Sequence, residues 1–182
     1  MQQREGDEKV YNLKYFQKIM EIDKLKVKVV SSKKEALNVW RMFLIPNIIG
    51  PLSEGEKQRF KENILATLKN QKSAFFYVEF EGKVIGAVGA WENYIKNGGF
   101  VIEHFAVVEQ WRGKGIGKKL FLEAEKFILK HNPRYIVIET GDDPFYEAGM
   151  KMYERNGYKK VSHFPKYYAL TSGRTDYMKN FC

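Results

Sequence analysis

The chain contains very little cysteine and histidine. Its 182 residues include one cysteine, Cys182, at the last position, and three histidines. A single cysteine cannot form a disulfide within the chain, and the histidines share no spacing typical of a zinc site. A thiol at a chain end is also a poor nucleophile, because nothing holds its geometry. We therefore expect no metal site and no cysteine nucleophile.

Long hydrophobic runs are also absent. The longest apolar cluster, MFLIPNIIGPL at 42–52, is interrupted by Pro46 and Asn47 and is too short to span a bilayer. The first ten residues, MQQREGDEKV, lack the apolar segment of a signal peptide. These absences favour a soluble, cytoplasmic protein with no membrane partner.

The chain has fewer acidic than basic residues: 22 Asp and Glu against 31 Lys and Arg, which gives a formal net charge of +9. Such an excess suits an anionic partner, whether nucleic acid, a membrane surface or a phosphorylated cofactor. It is equally typical of an ordinary surface rich in lysine and glutamate. The lysines are dispersed and no helix-turn-helix or zinc signature appears, so we expect no nucleic-acid partner.

Hydrophobic periodicity divides the chain into a short extension and one domain. Residues 1–24 form the extension, with a short helix predicted within 9–22, and residues 25–182 form a single α/β domain. The predicted element order is β-α-α-β-β-β-α-β-α-β-β. The two later helices follow strands directly, so we expect a mixed sheet with some parallel pairing in its middle.

Local signals mark several element ends. Ser53 and Glu56 have the spacing of a capping box at a helix start. Glu81-Gly82 predicts a hairpin turn, and Gly157 predicts the end of the last helix. Pro46 marks the expected end of the first helix of the domain.

The segment RGKGIG, residues 112–117, lies between a predicted strand and a predicted helix. Backbone amides at a helix N-terminus lack intrahelical partners, so an anion, especially a phosphate, is stabilised there. Glycines let a diphosphate approach the backbone, and Arg112, Lys114, Lys118 and Lys119 add positive charge. On these six residues alone, a phosphate site and an ordinary left-handed turn with solvated lysines both remain open.

The glycine spacing excludes two common phosphate-binding loops. A Walker loop needs four residues between its glycines and a Ser or Thr after the lysine, whereas Gly113 and Gly117 enclose three and Lys119 takes the Ser/Thr position. The dinucleotide fingerprint G-x-G-x-x-G also fails on spacing. A third pattern, R/Q-x-x-G-x-G/A, is met by Arg112, Gly115 and Gly117.

Residues 25–182 resemble the GCN5-related N-acetyltransferase (GNAT) superfamily. The motifs that carry the resemblance are AVVEQWRGKGIGKKL, YIVIET and MYERNGY, in the predicted element order. The resemblance implies a mixed, splayed β-sheet flanked by helices, with acetyl-CoA as co-substrate in the splay. It implies that the backbone of Phe105, Ala106 and Val107 binds pantetheine. It also implies that the pyrophosphate is held by Arg112, Gly113, Lys114, Gly115, Ile116, Gly117 and Lys118.

The family's helix tyrosine corresponds to Tyr153. The resemblance implies that its hydroxyl gives a proton or a hydrogen bond to the CoA sulfur; the alternative is a tyrosine that only packs in the core between Met150 and Tyr158. Family members usually carry Asn seven residues before this tyrosine and Ala four before it. Tyr146 and Gly149 stand at those positions here; the alternative is that the turn TGDDPFYEAG contains two extra residues.

Acetyl transfer to an amine requires a neutral amine and a stabilised oxyanion. The sequence offers no ordered cysteine or Ser/His pair that could form an acyl-enzyme. We therefore expect the amine to attack the thioester directly within a ternary complex. Strand alternation places Glu103 on one face with Val101, Phe105 and Val107, where it is either a general base or a carboxylate paired with a lysine. A resemblance to the ribosomal-protein N-terminal acetyltransferase branch implies the base role for Glu139 instead.

The tail PKYYALTSGRTDYM resembles the same branch and implies that Tyr167 and Tyr168 contact a substrate peptide; packing of a hairpin is the alternative. The expected acceptor is then a protein N-terminus or a lysine. A small amine such as a polyamine or aminoglycoside, recognised by Asp142 and Asp143, is an alternative, as is a non-catalytic acyl-CoA-binding module. The acyl-chain preference and a homodimer are left open.

Overall fold

The computed structural model describes residues 24–50 and 52–181. Its strands and helices, in chain order, are β1 (Lys28–Val29), α1 (Lys33–Phe43), α2 (Glu54–Ala66), β2 (Ser73–Phe80), β3 (Lys83–Glu92), β4 (Gly99–Val107), α3 (Ile116–Leu129), β5 (Tyr135–Gly141), α4 (Glu147–Arg155), β6 (Lys159–Ala169) and β7 (Ser172–Asn180). This order is the predicted one. The helix predicted within 9–22 lies outside the described residues.

All seven strands belong to one sheet, in the order β1-β2-β3-β4-β5-β7-β6. Only β4 and β5 pair in parallel among these described strands, so the predicted mixed sheet is confirmed. Their pairing ends at Ile102 opposite Ile138. Beyond that point the strands have no shared register and the sheet is splayed.

Helices cover the two faces of the sheet unequally. On one face, Leu120 and Phe121 of α3 pack with Phe100 and Ile136 of the sheet, and α4 contributes Tyr153. On the other face, the core under α1 and α2 includes Val39, Phe43, Phe60, Ile64, Phe75 and Ala87. None of the residues in this second core belongs to β5, β6 or β7. This face is therefore open beside β4.

Local signals account for most element ends. Ser53 and Glu56 form the predicted capping box, and Glu81 and Gly82 both adopt positive φ in the predicted two-residue turn. The first helix of the domain ends at Phe43, earlier than predicted. Pro46 explains this, because the residue before a proline disfavours the helical conformation.

A β-bulge at His104 changes the geometry of β4. Ala87 pairs with Ala106 and Gly89 with Glu103, so β4 carries one extra residue, and His104 has φ of 50°. The prediction that Glu103 shares a face with Phe105 and Val107 is therefore wrong. The latter two pack in the core under α3, whereas Glu103 lies on the α1/α2 face with Val101 and Ala106. The bulge reverses the alternation.

The bulge is held by packing. The His104 ring lies 3.7 Å from the Phe60 ring, and its Nε2 is 3.1 Å from the Asn63 amide. Burial lowers the pKa of His104 to about 3, so the ring is neutral at physiological pH. This histidine stabilises the bend in β4.

Candidate functional site

A cleft of about 270 Å³ opens where β4 and β5 separate. Its lining residues come from the α1–α2 connection, β4, the corner before α3 with the first turn of that helix, the end of β5, and α4 with the turn before it: Ile48, Phe105, Ala106, Val107, Arg112, Gly113, Gly115, Gly117, Lys118, Thr140, Phe145, Tyr146, Ala148, Gly149, Met152 and Tyr153. Eight of the ten predicted cofactor residues and Tyr153 thus line one cleft. Lys114 and Ile116, and also Glu103, Glu139, Tyr167 and Tyr168, are outside this lining.

The β4 side of the cleft presents strand backbone. Residues 103–107 lie past the last pair with β5, so their backbone groups that point toward β5 have no strand partner among the described residues. Unpaired strand edges bind extended ligands through main-chain hydrogen bonds. This edge can therefore receive an amide-bearing chain such as pantetheine.

The corner before α3 exposes a helix N-terminus to the same cleft. Gly115 is the N-cap, with φ of 78° and no side-chain cap. The first intrahelical bond runs from the Lys119 amide to the Gly115 carbonyl, so the amides of residues 116–118 precede it. A Cβ on Gly113 or Gly115 would meet nothing within 4 Å, and both have positive φ. Backbone conformation therefore explains these two glycines, and their open side is available to an anion.

The cationic side chains at this corner have local partners. Arg112 Nε donates to the Val107 carbonyl at 2.9 Å, and its guanidinium lies 4.6 Å from the centre of the Phe145 ring. Lys114 donates to the Gln110 carbonyl. The side chain of Ile116 is buried in the core, so only its backbone amide faces the corner.

Tyr153 packs in the core and lines the cleft. It is 5% exposed, and its ring centroid is 5.7 Å from those of Phe121 and Tyr177. Burial raises the pKa of Tyr153 well above its ordinary value, so its hydroxyl keeps its proton. A Cβ on Gly149 would lie 3.4 Å from this hydroxyl, so the glycine found in place of the family's usual alanine leaves more room there.

Glu103 is a carboxylate whose pKa is strongly raised. Burial raises the pKa of Glu103 to about 7, and the charge of Glu139 acts in the same direction, against Arg59 and Arg174. It makes no hydrogen bond or ion pair with another described residue, so the predicted alternative of a lysine-paired carboxylate is not observed in that part of the chain. A carboxylate with these properties can accept a proton near neutral pH.

Glu139 is the next carboxylate on the same face, and it has a partner. Arg174 forms an ion pair with it at 2.9 Å and a second with Asp176 at 2.7 Å. Burial raises the pKa of Glu139. The positive charge of Arg174 lowers this pKa, and the negative charge of Asp176 raises it further. Arg174 therefore fixes Glu139 in place, a contact that sequence patterns did not predict.

Tyr167 and Tyr168 lie on an outward bend of β6. Pairing with β7 jumps from Phe164 to Ala169, and the two tyrosines are 56% and 53% exposed. Burial of its hydroxyl and the charge of Glu139 raise the pKa of Tyr168 to about 12. The pair therefore stands beside the Glu139–Arg174 ion pair on the open face.

The two aspartates proposed for a cationic acceptor are engaged elsewhere. Asp142 accepts from the Gly173 amide at 2.6 Å and lies 2.8 Å from His163 Nε2. Asp143 accepts from the Phe145 amide and from the Ser172 hydroxyl, both at 3.0 Å. Both carboxylates join the segment between β5 and α4 to the β6–β7 hairpin.

Tyr146 is a cleft residue whose contacts the sequence did not reveal. A Cβ on Gly141 would lie 2.3 Å from its ring, so the ring covers this end of β5. Its hydroxyl donates to the Ile49 carbonyl at 3.1 Å. The only signal in the sequence was the unusual tyrosine at the family's asparagine position.

Neither a metal-binding cluster nor a membrane-spanning helix occurs among the described residues. No group of three or more His, Cys, Asp or Glu side chains within 24–50 and 52–181 could hold a metal ion. No helix in these ranges combines the length and apolar content that crossing a membrane requires.

Comparison with known proteins agrees with this geometry. Relatives include an uncharacterized N-acetyltransferase of Chlorobaculum tepidum, 28% identical over 60% of this chain and 63% of that protein's length. The matched segments span 42% and 63% of the two curated relatives. The ribosomal-protein-S18-alanine N-acetyltransferase of Escherichia coli shares the fold, with a TM-score of 0.67 and 13% identity over 85% of this chain and 94% of that one.

A Salmonella typhimurium protein assigned as an acetyltransferase, and solved with its cofactor acetyl-CoA, also shares the fold. Its TM-score is 0.69, with 13% identity over 86% of this chain and 93% of that one. The model of the acetyltransferase (GNAT) family matches residues 36–158, more than half of the chain. The chain belongs to the GNAT acetyltransferase family.

Proposed function

We propose that the protein is an acetyl-CoA-dependent N-acetyltransferase that moves an acetyl group to a primary amine by direct attack in a ternary complex. The observation that carries the proposal is the cleft between β4 and β5, which joins an uncapped helix start to Tyr153. Family membership supports it, as does the acetyl-CoA bound to the Salmonella protein of the same fold.

The residues of the cleft fit acetyl-CoA. The amides of residues 116–118 and the open side of Gly113 and Gly115 would receive the diphosphate. The backbone edge of residues 105–107 would bind the pantetheine amides. When bound, acetyl-CoA supplies an acyl group activated as a thioester.

Glu103 and Tyr153 have different roles in the reaction: the first accepts a proton and the second donates a hydrogen bond. As the amine nitrogen bonds to the acetyl carbon and the carbon–sulfur bond breaks, Glu103 takes the proton that the amine loses. Its pKa of about 7 suits this role at neutral pH. Tyr153 keeps its proton and donates a hydrogen bond to the leaving sulfur, since its pKa is raised. Glu139, paired with Arg174, orders the surroundings of Glu103.

The acceptor approaches from the open face of β5, β6 and β7. Tyr167 and Tyr168 are exposed there and flank Glu139, which suits an extended acceptor such as a protein N-terminus or a lysine-bearing segment. A small polycation would need a free acidic pocket, but Asp142 and Asp143 are occupied by contacts with the hairpin. A non-catalytic CoA-binding module gives no reason for a Glu103 of raised pKa that has no ion pair within the part of the chain that the structure describes.

The test is a screen of N-terminal peptides, lysine peptides, polyamines and aminoglycosides with acetyl-CoA. CoA release and the mass of the acceptor are followed together, with Glu103→Gln as a matched control. We expect peptides to gain one acetyl group per CoA released, and the control to be slow. Release of CoA without any acetylated amine would contradict the proposal.

A further inference from the structure

The cleft passes through the sheet from one face to the other. Phe105 and Val107, at its α3 side, pack in the core beneath that helix. Ala106 and Ile48, which also line the cleft, belong to the core under α1 and α2. Because β4 and β5 are separated here, the lining includes residues from both cores.

Tyr146 stands at the end of the cleft on the α1/α2 face. Its ring occupies the space that a side chain on Gly141 would fill, so this strand position must be a glycine while the tyrosine is present. Its hydroxyl reaches the Ile49 carbonyl in the α1–α2 connection at 3.1 Å. One side chain therefore bridges β5 and the α1–α2 connection at this end of the cleft.

The position of this bridge relative to the reacting groups gives it a function. Glu103 lies on the face where Tyr146 stands, and Tyr153 lines the cleft from the opposite side of the sheet. A thioester that reacts between these two groups would have Ile48, Ala106 and Tyr146 beside its acyl chain, since these are the residues of the cleft on the α1/α2 face. The acyl chain thus meets an aromatic wall.

Resting on the proposed function, we propose that Tyr146 is a specificity-determining residue that limits the acyl donor to short chains. Its ring closes the space into which a longer chain would extend, and the Ile49 and Gly141 contacts keep the ring from moving aside. Each methylene that finds no room forgoes the roughly fourfold gain in affinity that an open site would give it, from about 0.8 kcal/mol per buried CH₂, so the closed site loses this gain relative to an open one. Strain from forcing the chain against the ring adds to this loss.

The experiment measures the dissociation constants of CoA, acetyl-CoA, butyryl-CoA and hexanoyl-CoA by calorimetry, which needs no acceptor. The variants are Tyr146→Ala, Tyr146→Leu and Tyr146→Phe. Phe145→Ala is the matched control, because Phe145 lines the same cleft from the same turn and stacks on Arg112. Circular dichroism identifies any variant that does not fold.

We expect wild type to bind butyryl-CoA at least tenfold more weakly than acetyl-CoA. Tyr146→Ala and Tyr146→Leu should reduce this ratio by about tenfold or more, following two methylenes at roughly fourfold each. Tyr146→Phe keeps the ring, so its ratio of the butyryl-CoA to the acetyl-CoA dissociation constant should stay close to that of wild type. Phe145→Ala should weaken the binding of all four ligands by the same factor.

An unchanged ratio of butyryl-CoA to acetyl-CoA affinity in the folded Tyr146→Ala or Tyr146→Leu variant would overturn the inference about Tyr146 and leave the proposed function intact. The same holds if wild type already binds butyryl-CoA as tightly as acetyl-CoA. Failure of wild type to bind any of the four ligands would instead remove the proposed function, and the inference with it.

Discussion

Glu103 and Glu139 directly follow the last paired residues of β4 and β5, Ile102 and Ile138, and lie on the same face of the sheet. The negative charge of Glu139 raises the pKa of Glu103 beyond the effect of burial. Arg174 neutralises Glu139 by an ion pair but makes none with Glu103. The two carboxylates therefore differ in behaviour: Glu139 is fixed by its ion pair, whereas Glu103 can exchange a proton near neutral pH.

Replacing Glu103 with glutamine should remove the proposed base. The rate constant kcat/KM of wild type should rise with pH through about 7 as Glu103 loses its proton. In Glu103→Gln we expect a loss on the order of 10²–10⁴-fold at neutral pH and no inflection near 7. Acetyl-CoA affinity, measured by calorimetry, should be retained.

The acceptor's own ionisation provides the control for this profile. An α-amino group titrates at roughly 7.7–8.0 and a lysine side chain near 10.4, so the variant's remaining rise should follow the amine alone. A wild-type profile in Glu103→Gln would show that the amine enters neutral and needs no base.

Glu139→Gln should move the inflection of the pH–rate profile to lower pH. The substitution removes the negative charge that raises the pKa of Glu103, and it leaves Arg174, which lowers that pKa, in place. Glu103 then loses its proton earlier in the titration. If Glu139 were the base instead, the variant would lose the inflection and most of its activity at all pH values.

The raised pKa of Glu103 also has a consequence for stability. In the unfolded chain the carboxyl ionises above its ordinary pKa of 4.5, but in the folded protein only above about 7. Its contribution to folding is therefore fully present below pH 4.5 and is lost as the pH rises to 7. Thermal unfolding should show Glu103→Gln to be more stable than wild type at pH 8, with little difference at pH 4. Equal differences at both pH values would contradict the raised pKa.

Tyr153→Phe tests the hydroxyl while the ring keeps its packing on Phe121 and Tyr177. We expect kcat to fall by about 10²-fold or more, because the leaving sulfur loses its hydrogen bond. The dissociation constant of acetyl-CoA should change much less. A thioester with a more acidic thiol should reduce the loss, since its sulfur needs less stabilisation. Unchanged kcat would leave Tyr153 with a packing role only.

Sequence predicted those parts of the fold that depend on neighbouring residues. Ser53 with Glu56, and Glu81 with Gly82, set their own backbone conformation through caps and positive φ. The glycine corner was found for the same reason, because Gly115 is required by its local φ of 78°. Such signals need no knowledge of what packs against them.

The remaining features depend on residues far apart in the chain. The face of Glu103 was predicted wrongly because the bulge at His104 arises from stacking on Phe60, a helix residue 44 positions earlier. The bond from Tyr146 to Ile49 spans 97 positions. No periodicity in β4 or α4 indicates either contact.

The central claim is that the glycine corner and the β4 edge bind acetyl-CoA. Its most direct test is a calorimetric titration of acetyl-CoA into wild type, Gly115→Asp and Gly115→Asn at low ionic strength. Asp and Asn have nearly the same shape and both tolerate positive φ, so their difference isolates a negative charge placed beside the diphosphate.

We expect wild type to bind one acetyl-CoA, more weakly as salt increases, and to gain about 2.7 kcal/mol of stability at a hundredfold excess over Kd. Gly115→Asp should bind much more weakly than Gly115→Asn. Absence of binding to wild type at low salt, or equal affinity of the two variants, would contradict this placement of the acetyl-CoA diphosphate.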